Sequence, residues 1–295
     1  MKKALSIVVL FIGICSMSAQ KTALKLNLAK GETYYQNMNV DAVIEQSFEG
    51  QNMTMNMKAD MQLSYKVTAF ENAVFTLEAR YRKMTLSMSM PQGNMSFDSD
   101  KKDEKDVFST VLGAIIDKPF IMKITTAGKI TEVSGTETVF TAAINELSTL
   151  DTAQKGQIMA QLEQSYGKES ITKNMDTSFA IYPSKPVSKG EKWTINTVLE
   201  AGTDANIETV YELTDITPDY YILKGTAKIT PGAGKDTQEV QMTNVNGTMT
   251  SDLKLNKKTG WVSASKIIQD IKGIVKTDGE ELPVSMKNIL TLSDH

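Results

Sequence analysis

Alternating apolar and polar residues dominate both ends of this chain and give way to a helical period between them. Over residues 22–100 every second position tends to be apolar, over about 106–167 the spacing becomes that of helices, and over about 178–292 the alternation returns. In the helical stretch Phe108, Val111, Leu112, Ile115 and Ile116 share one face. Val139, Phe140, Ala143, Ile144 and Leu147 share another, preceded by a capping box from Ser134 to Glu137. Ile158, Met159, Leu162 and Tyr166 predict a third helix, and "PFIMKITTAGKITEV" predicts a hairpin turning at Ala127 and Gly128. The pattern is that of an α+β fold: long twisted antiparallel strands forming an open barrel or two packed half-barrels, with about three helices inserted mid-chain. Residues 21–295 are expected to form a single β-rich domain.

The first strand region can be read to the level of register. Met38, Val40, Ala42, Ile44 and Phe48 occupy even positions, and Met53, Met55, Met57, Ala59, Met61, Leu63, Tyr65 and Val67 odd ones. A loop "EGQN" pairs Phe48 with Met53 and puts both rows on one face. The next strand starts odd, at Phe75, Leu77, Ala79 and Tyr81, and turns even at Met84, Leu86, Met88 and Met90. That switch of phase at Arg82 and Lys83 predicts a β-bulge. With a loop of Phe70, Glu71 and Asn72, Val67 pairs with Phe75, and the bulge then sets Met53, Met55 and Met57 opposite Met90, Met88 and Leu86. Met53, Met55, Met57, Met61, Met84, Leu86, Met88 and Met90 thus form one wall.

That wall has two chemical readings. Residues two apart on a strand lie about 6–7 Å apart and opposed residues about 5 Å apart, so thioethers of Met53, Met55, Met88 and Met90 could gather around Cu(I). The same placement makes an apolar wall of adaptable side chains, each contributing about 1.5–3 kcal/mol when buried. No histidine or cysteine lies near the wall, which favours the second reading. The lone histidine is His295, which leaves no histidine-centred triad or two-histidine metal site. The acidic run "DSDKKDEKD" lacks the glycine and terminal glutamate of a calcium loop, and reads as a solvated lead into a helix. No phosphate loop, dinucleotide fingerprint or nucleophile turn occurs, so the expectation is a protein that is not an enzyme and needs no cofactor. Trp193 and Trp261 could stack on a sugar, but their places at strand starts suit core anchoring.

The first twenty residues read as a secretory leader: Lys2 and Lys3, an apolar run from Ala4 to Ile14, then "SMSAQ". Cys15 is the only cysteine, and Ile14 before it is a poor lipoprotein context, so cleavage near Ala19 or Gln20 without acylation is expected. The mature chain would then hold neither thiol nor disulfide and would reside in the periplasm or outside the cell. Net charge is −3 with signs interspersed, which is no nucleic-acid footprint, and no later apolar run has membrane-spanning length.

"KGETY" from Lys30 to Tyr34 is echoed by "KGEKW" from Lys189 to Trp193, each a turn glycine followed by an aromatic; duplication and shared turn chemistry both account for this. "NKKTGW" reads as a hairpin loop with its glycine left-handed. The leader, "PVSKGEKW" and "KKTGW" resemble uncharacterised exported β-rich families of Bacteroidetes. The order of curved strands, helices and more strands is similar to periplasmic lipoprotein carriers, a resemblance that implies an open barrel with helices in its mouth. The expected function is non-catalytic binding, in an apolar cavity, of a lipid-like molecule or a hydrophobic or acylated protein segment of the cell envelope. A structural or assembly role in the envelope without a small ligand is the alternative, and a methionine-based Cu(I) protein the third class.

Intact-mass measurement of protein recovered from its native envelope should give a chain beginning near Lys21 with no added acyl mass. A diacylglyceryl-modified Cys15 at the N-terminus would contradict this reading.

Overall fold

The computed structural model describes residues 21–48, 51–101, 106–145, 147, 150–200, 204–232, 241–277 and 280–294. The leader, Cys15 and the predicted cleavage site therefore lie outside the described residues. Strands β1 (Thr33–Phe48), β2 (Gln51–Glu71), β3 (Val74–Met90) and β4 (Gly93–Asp98) come first. Helix α1 (Val107–Ile115), hairpin β5 (Phe120–Thr125) and β6 (Ile130–Ser134), and helices α2 (Thr136–Asn145), α3 (Thr152–Tyr166) and α4 (Lys168–Phe179) follow. The chain then makes β7 (Lys192–Glu200), β8 (Asp204–Ile216), β9 (Tyr220–Pro231), β10 (Gln241–Asn256), β11 (Val262–Thr277) and β12 (Glu280–Ser293).

All of these strands join one antiparallel, 12-stranded sheet in the order β6-β5-β3-β2-β1-β12-β11-β10-β9-β8-β7, with β4 paired to the far end of β3. The sheet is open, and of the two architectures expected it is the open barrel in a single sheet. Its edge strands β6 and β7 do not pair with each other; α4 packs against both and spans the seam. Ile130 N–H donates to Asp176 Oδ1 at 3.1 Å on one side, and Trp193 Nε1–H donates to the Ile181 carbonyl at 2.9 Å on the other. Helix α4 fills residues 168–179, so the second strand region begins at Lys192 rather than at 178.

One face of the sheet, here the inner face, carries the core. Leu63, Tyr65 and Val67 of β2, Phe75, Leu77 and Met84 of β3 and Leu253 and Leu255 of β10 are buried against Val111, Leu112, Phe140, Ile144, Leu162 and Phe179 of the helices. A strap before β1 completes that end. Leu24, Leu26 and Leu28 are buried, Leu26 N–H donates to the Thr126 carbonyl and Asn27 N–H to that of Thr259, so the strap ties the β5–β6 turn to the β10–β11 loop. Gly260, at φ +70°, is required there: a Cβ would fall 2.1 Å from the Lys25 carbonyl oxygen. Trp261 lies within 5.3–5.5 Å of the Tyr34, Tyr65 and Phe179 rings and is almost wholly buried, in keeping with core anchoring. The two "KGE" turns are geometrically alike. Gly31 and Gly190 have φ of +90° and +86°, and donate to the carbonyls of Val67 and Leu213 on the neighbouring strand.

Several local expectations are corrected. Asn72 and Ala73, both with positive φ, make the β2–β3 turn, where the alternation implied a three-residue loop. Gln51 rather than Met53 stands opposite Phe48. The bulge does fall at Arg82, between the pairs Gln62–Lys83 and Leu63–Tyr81, but tighter turns and a second irregularity at Thr68 move the register by two residues. Met57 therefore faces Met88, Ala59 faces Leu86 and Met61 faces Met84. The capping box at Ser134 is absent: Ser134 ends β6 and its hydroxyl donates to Glu132. The box that exists opens α3, where Asp151 and Gln154 bond reciprocally. The three helices expected over 106–167 are α1, α2 and α3.

Asp176 in the α4 seam supplies a test. Burial raises its carboxyl pKa more than the Ile130 N–H and Lys129 lower it. A carboxyl with a raised folded-state pKa favours folding most while protonated, and that contribution is lost as pH rises through the raised value. Asp176→Asn keeps an acceptor for Ile130 and removes the charge. Its Tm should exceed that of the unsubstituted protein by about 1–4 °C at neutral pH, with the gap closing on acidification. Thermal melts over about pH 4–8 check this; a gap that widens toward acid would contradict it.

Candidate functional site

The length of the strands creates the site. At about 3.3 Å per residue, β2 with its 21 residues runs about 70 Å, whereas α3, at 15 residues the longest helix among the described residues, spans about 22 Å. The helical layer cannot cover the inner face from end to end. It reaches the row of Met61 and Met84, where Met84 is 2% exposed and belongs to the core rather than to an open wall. Beyond that row Met53, Met55, Met57, Leu86, Met88 and Met90 are half-buried, as is Met61 at its edge.

Cross-strand pairing extends this wall in both directions. Met57 faces Met88, and Met88 faces Met95 of β4, which is 42% exposed; Leu86 faces Phe97, whose ring lies 4.6 Å from Phe108 of α1. Met95 and Phe97 were missed in the sequence, though "PQG" after Met90 and a resumed two-residue period marked a hairpin. In the other direction Met57 faces Ala42, Met55 faces Ile44, and Ala42 and Ile44 face Asn288 and Met286 of β12. A separate buried cluster of Ala205, Ile207, Ala227, Ile229, Val245, Met249, Ile267 and Ile271 occupies the same face on β8 to β11, with Met286 and Leu290 packed against it.

The inner face carries no charge in this region. The rows through Met55, Met57, Ala59 and Met61 cross the described strands without meeting an Asp, Glu, Lys or Arg. Charges stand on the other face, in cross-strand pairs such as Lys58–Asp41 at 3.8 Å, Lys192–Glu212 at 3.3 Å and Lys224–Asp252 at 3.7 Å. These are exposed, so they add solubility and little stability.

Three thioethers, those of Met57, Met88 and Met95, lie in one row on adjacent strands, and Met53 Sδ accepts from Gln92 Nε2 at 3.7 Å. Residues 102–105 of the acidic run lie outside the described residues. The last residue of that run, Asp106, caps α1 by accepting from Ser109 N–H, and its contact with Ser109 holds its carboxyl below the usual range. Among the described residues no helix is long and apolar enough to cross a membrane.

An open antiparallel sheet with one apolar face, part-covered by helices, defines an open-barrel class of β-protein. Residues 72–262 match the model of a family of unknown function, DUF6263, and the chain belongs to that family. No curated protein matches it. Among solved structures the chain is similar to lipovitellin, in a structure concerned with lipid–protein interactions, at 9% identity and a TM-score of 0.51 over 91% of this chain. It spans 25% of the lipovitellin chain, and the likeness is one of fold. An outer membrane channel from Pseudomonas putida F1 matches at 6% identity and a TM-score of 0.26, covering 91% of this chain and 97% of the channel.

Proposed function

We propose that this protein is an exported, non-catalytic binding protein whose bare inner face holds the acyl chain of a lipid-like molecule or of an acylated protein segment in the cell envelope. The observation that carries the reading is the half-exposed wall of Met53, Met55, Met57, Leu86, Met88 and Met90 on an uncharged face. A folded chain seldom leaves so continuous an apolar wall only half-covered unless something occupies it. Methionine suits an occupant of variable shape, because its unbranched thioether chain repacks with little strain. The fold shared with lipovitellin supports a sheet that can face lipid. A purely structural role in the envelope would predict a filled face. The row of Met57, Met88 and Met95 keeps Cu(I) binding as the second reading.

Substitution of Met57 and Met88 separates these readings. Leucine at both positions conserves volume, usually at a cost below about 1.5 kcal/mol, so binding of the neutral fluorescent probe N-phenyl-1-naphthylamine should stay within a few-fold. Glutamate at both positions places charges that the apolar probe cannot solvate, and binding should be lost. High-affinity Cu(I) binding removed by the leucine pair, with no probe bound by either protein, would overturn the lipid reading.

A further inference from the structure

A belt of polar side chains interrupts the apolar inner face at the boundary of its two buried clusters and within the one on β8 to β11. Ser251 of β10 and Ser265 and Gln269 of β11 are 4%, 4% and 7% exposed, and Asn288 of β12 stands opposite Gln269. Asn288 Nδ2–H donates to Gln269 Oε1 at 2.9 Å, and Gln269 Nε2–H donates to Met249 Sδ at 3.7 Å. Asn288 Oδ1, Ser251 Oγ and Ser265 Oγ have no hydrogen-bond partner in the protein. Ser251 lies diagonally across from both Ser265 and Gln269, since it pairs with Ile267 between them. The belt from β10 to β12 is therefore about 10 Å wide.

Buried polar atoms are almost always paired, and serine on an apolar face is readily replaced by alanine or valine, so three unpaired groups on neighbouring strands are unusual for a plain core. Opposite Ser251 stands Gly225, and the Ser251 hydroxyl and the Tyr211 ring close over it: a Cβ there would fall 2.3 Å from Ser251 Oγ and 2.8 Å from the ring. The same row passes from Ser251 through Ile267, Leu290 and Val40 to Ala59 and Leu86, so the belt is continuous with the methionine wall. Lysines 254, 266, 272 and 287 of these strands alternate to the opposite face, which leaves the belt with amide and hydroxyl groups and no cation.

Building on the acyl-binding reading above, we infer that the belt formed by Ser251, Ser265, Gln269 and Asn288 receives the uncharged, hydrogen-bonding head of an amphiphile, an ester or amide bearing hydroxyl groups, while its chain lies along the methionine wall. A carboxylate or phosphate head would have to shed its water there without meeting a counter-charge. A glycerol ester offers both donors and acceptors to the serine hydroxyls and the asparagine oxygen.

Displacement of N-phenyl-1-naphthylamine from the full chain by two competitors with one acyl chain, monomyristoylglycerol and myristate, tests this. The glycerol ester should displace the probe at about tenfold lower concentration, the advantage that one or two added hydrogen bonds confer. Ser251→Ala together with Ser265→Ala removes hydroxyls that bond nothing in the protein, so folding and probe affinity should be unchanged while the preference falls to within about twofold. Probe binding with equal displacement by both competitors, stronger displacement by myristate, or a preference untouched in the double alanine variant would overturn the belt's role and leave the acyl trough standing. Failure of probe and both lipids to bind would overturn the two together.

Discussion

A sheet with one apolar face has to cover that face along its whole length, and here the cover is shorter than the sheet. Strands of 16 and 21 residues in β1 and β2 outrun helices of 9 to 15 residues by a factor that no arrangement of three or four helices makes good. The near half is closed by α1 to α4 and by the leucine strap. On the β8 to β11 side the far half buries its own aliphatic side chains. What remains is the half-exposed stretch of β1 to β4, where methionine is concentrated.

The same constraint explains the seam. Closing the sheet would require β6 to pair with β7, yet β6 has only five residues. Helix α4 stands between them, holding β6 through Asp176 and delivering the chain to the Ile181 carbonyl that Trp193 uses. An open barrel with a helical seam can yield along one line without breaking its β-ladders, which is the motion the proposed entry and release of an acyl chain would use.

Periodicity made much of this legible. The phase switch at Arg82 placed the bulge, because one extra residue moves a row of side chains to the other face and a buried row does not tolerate that. The common face of the two methionine rows followed from the same reasoning. Register was not legible to better than two residues: alternation is unchanged by a shift of two, and the tight turn at Asn72 and Ala73 depends on backbone angles that Ala73 does not advertise. Helix α4 was missed because Lys168–Phe179 has few apolar residues: Ile171, Met175 and Phe179 keep a helical spacing and are buried, but the remaining positions are polar and the helix is held by β6 and β7 on either side. The polar belt could not be read at all. Ser251, Ser265, Gln269 and Asn288 are ordinary strand residues until pairing sets them in neighbouring rows.

The central claim is that the bare half of the inner face is occupied by acyl chains in the envelope. Native mass spectrometry of the protein recovered from its own envelope under mild conditions tests it most directly. The account predicts a bound species whose released mass and fragments are those of an acyl lipid or an acylated peptide. Protein that emerges empty, or carrying only copper through its thioethers, would contradict it.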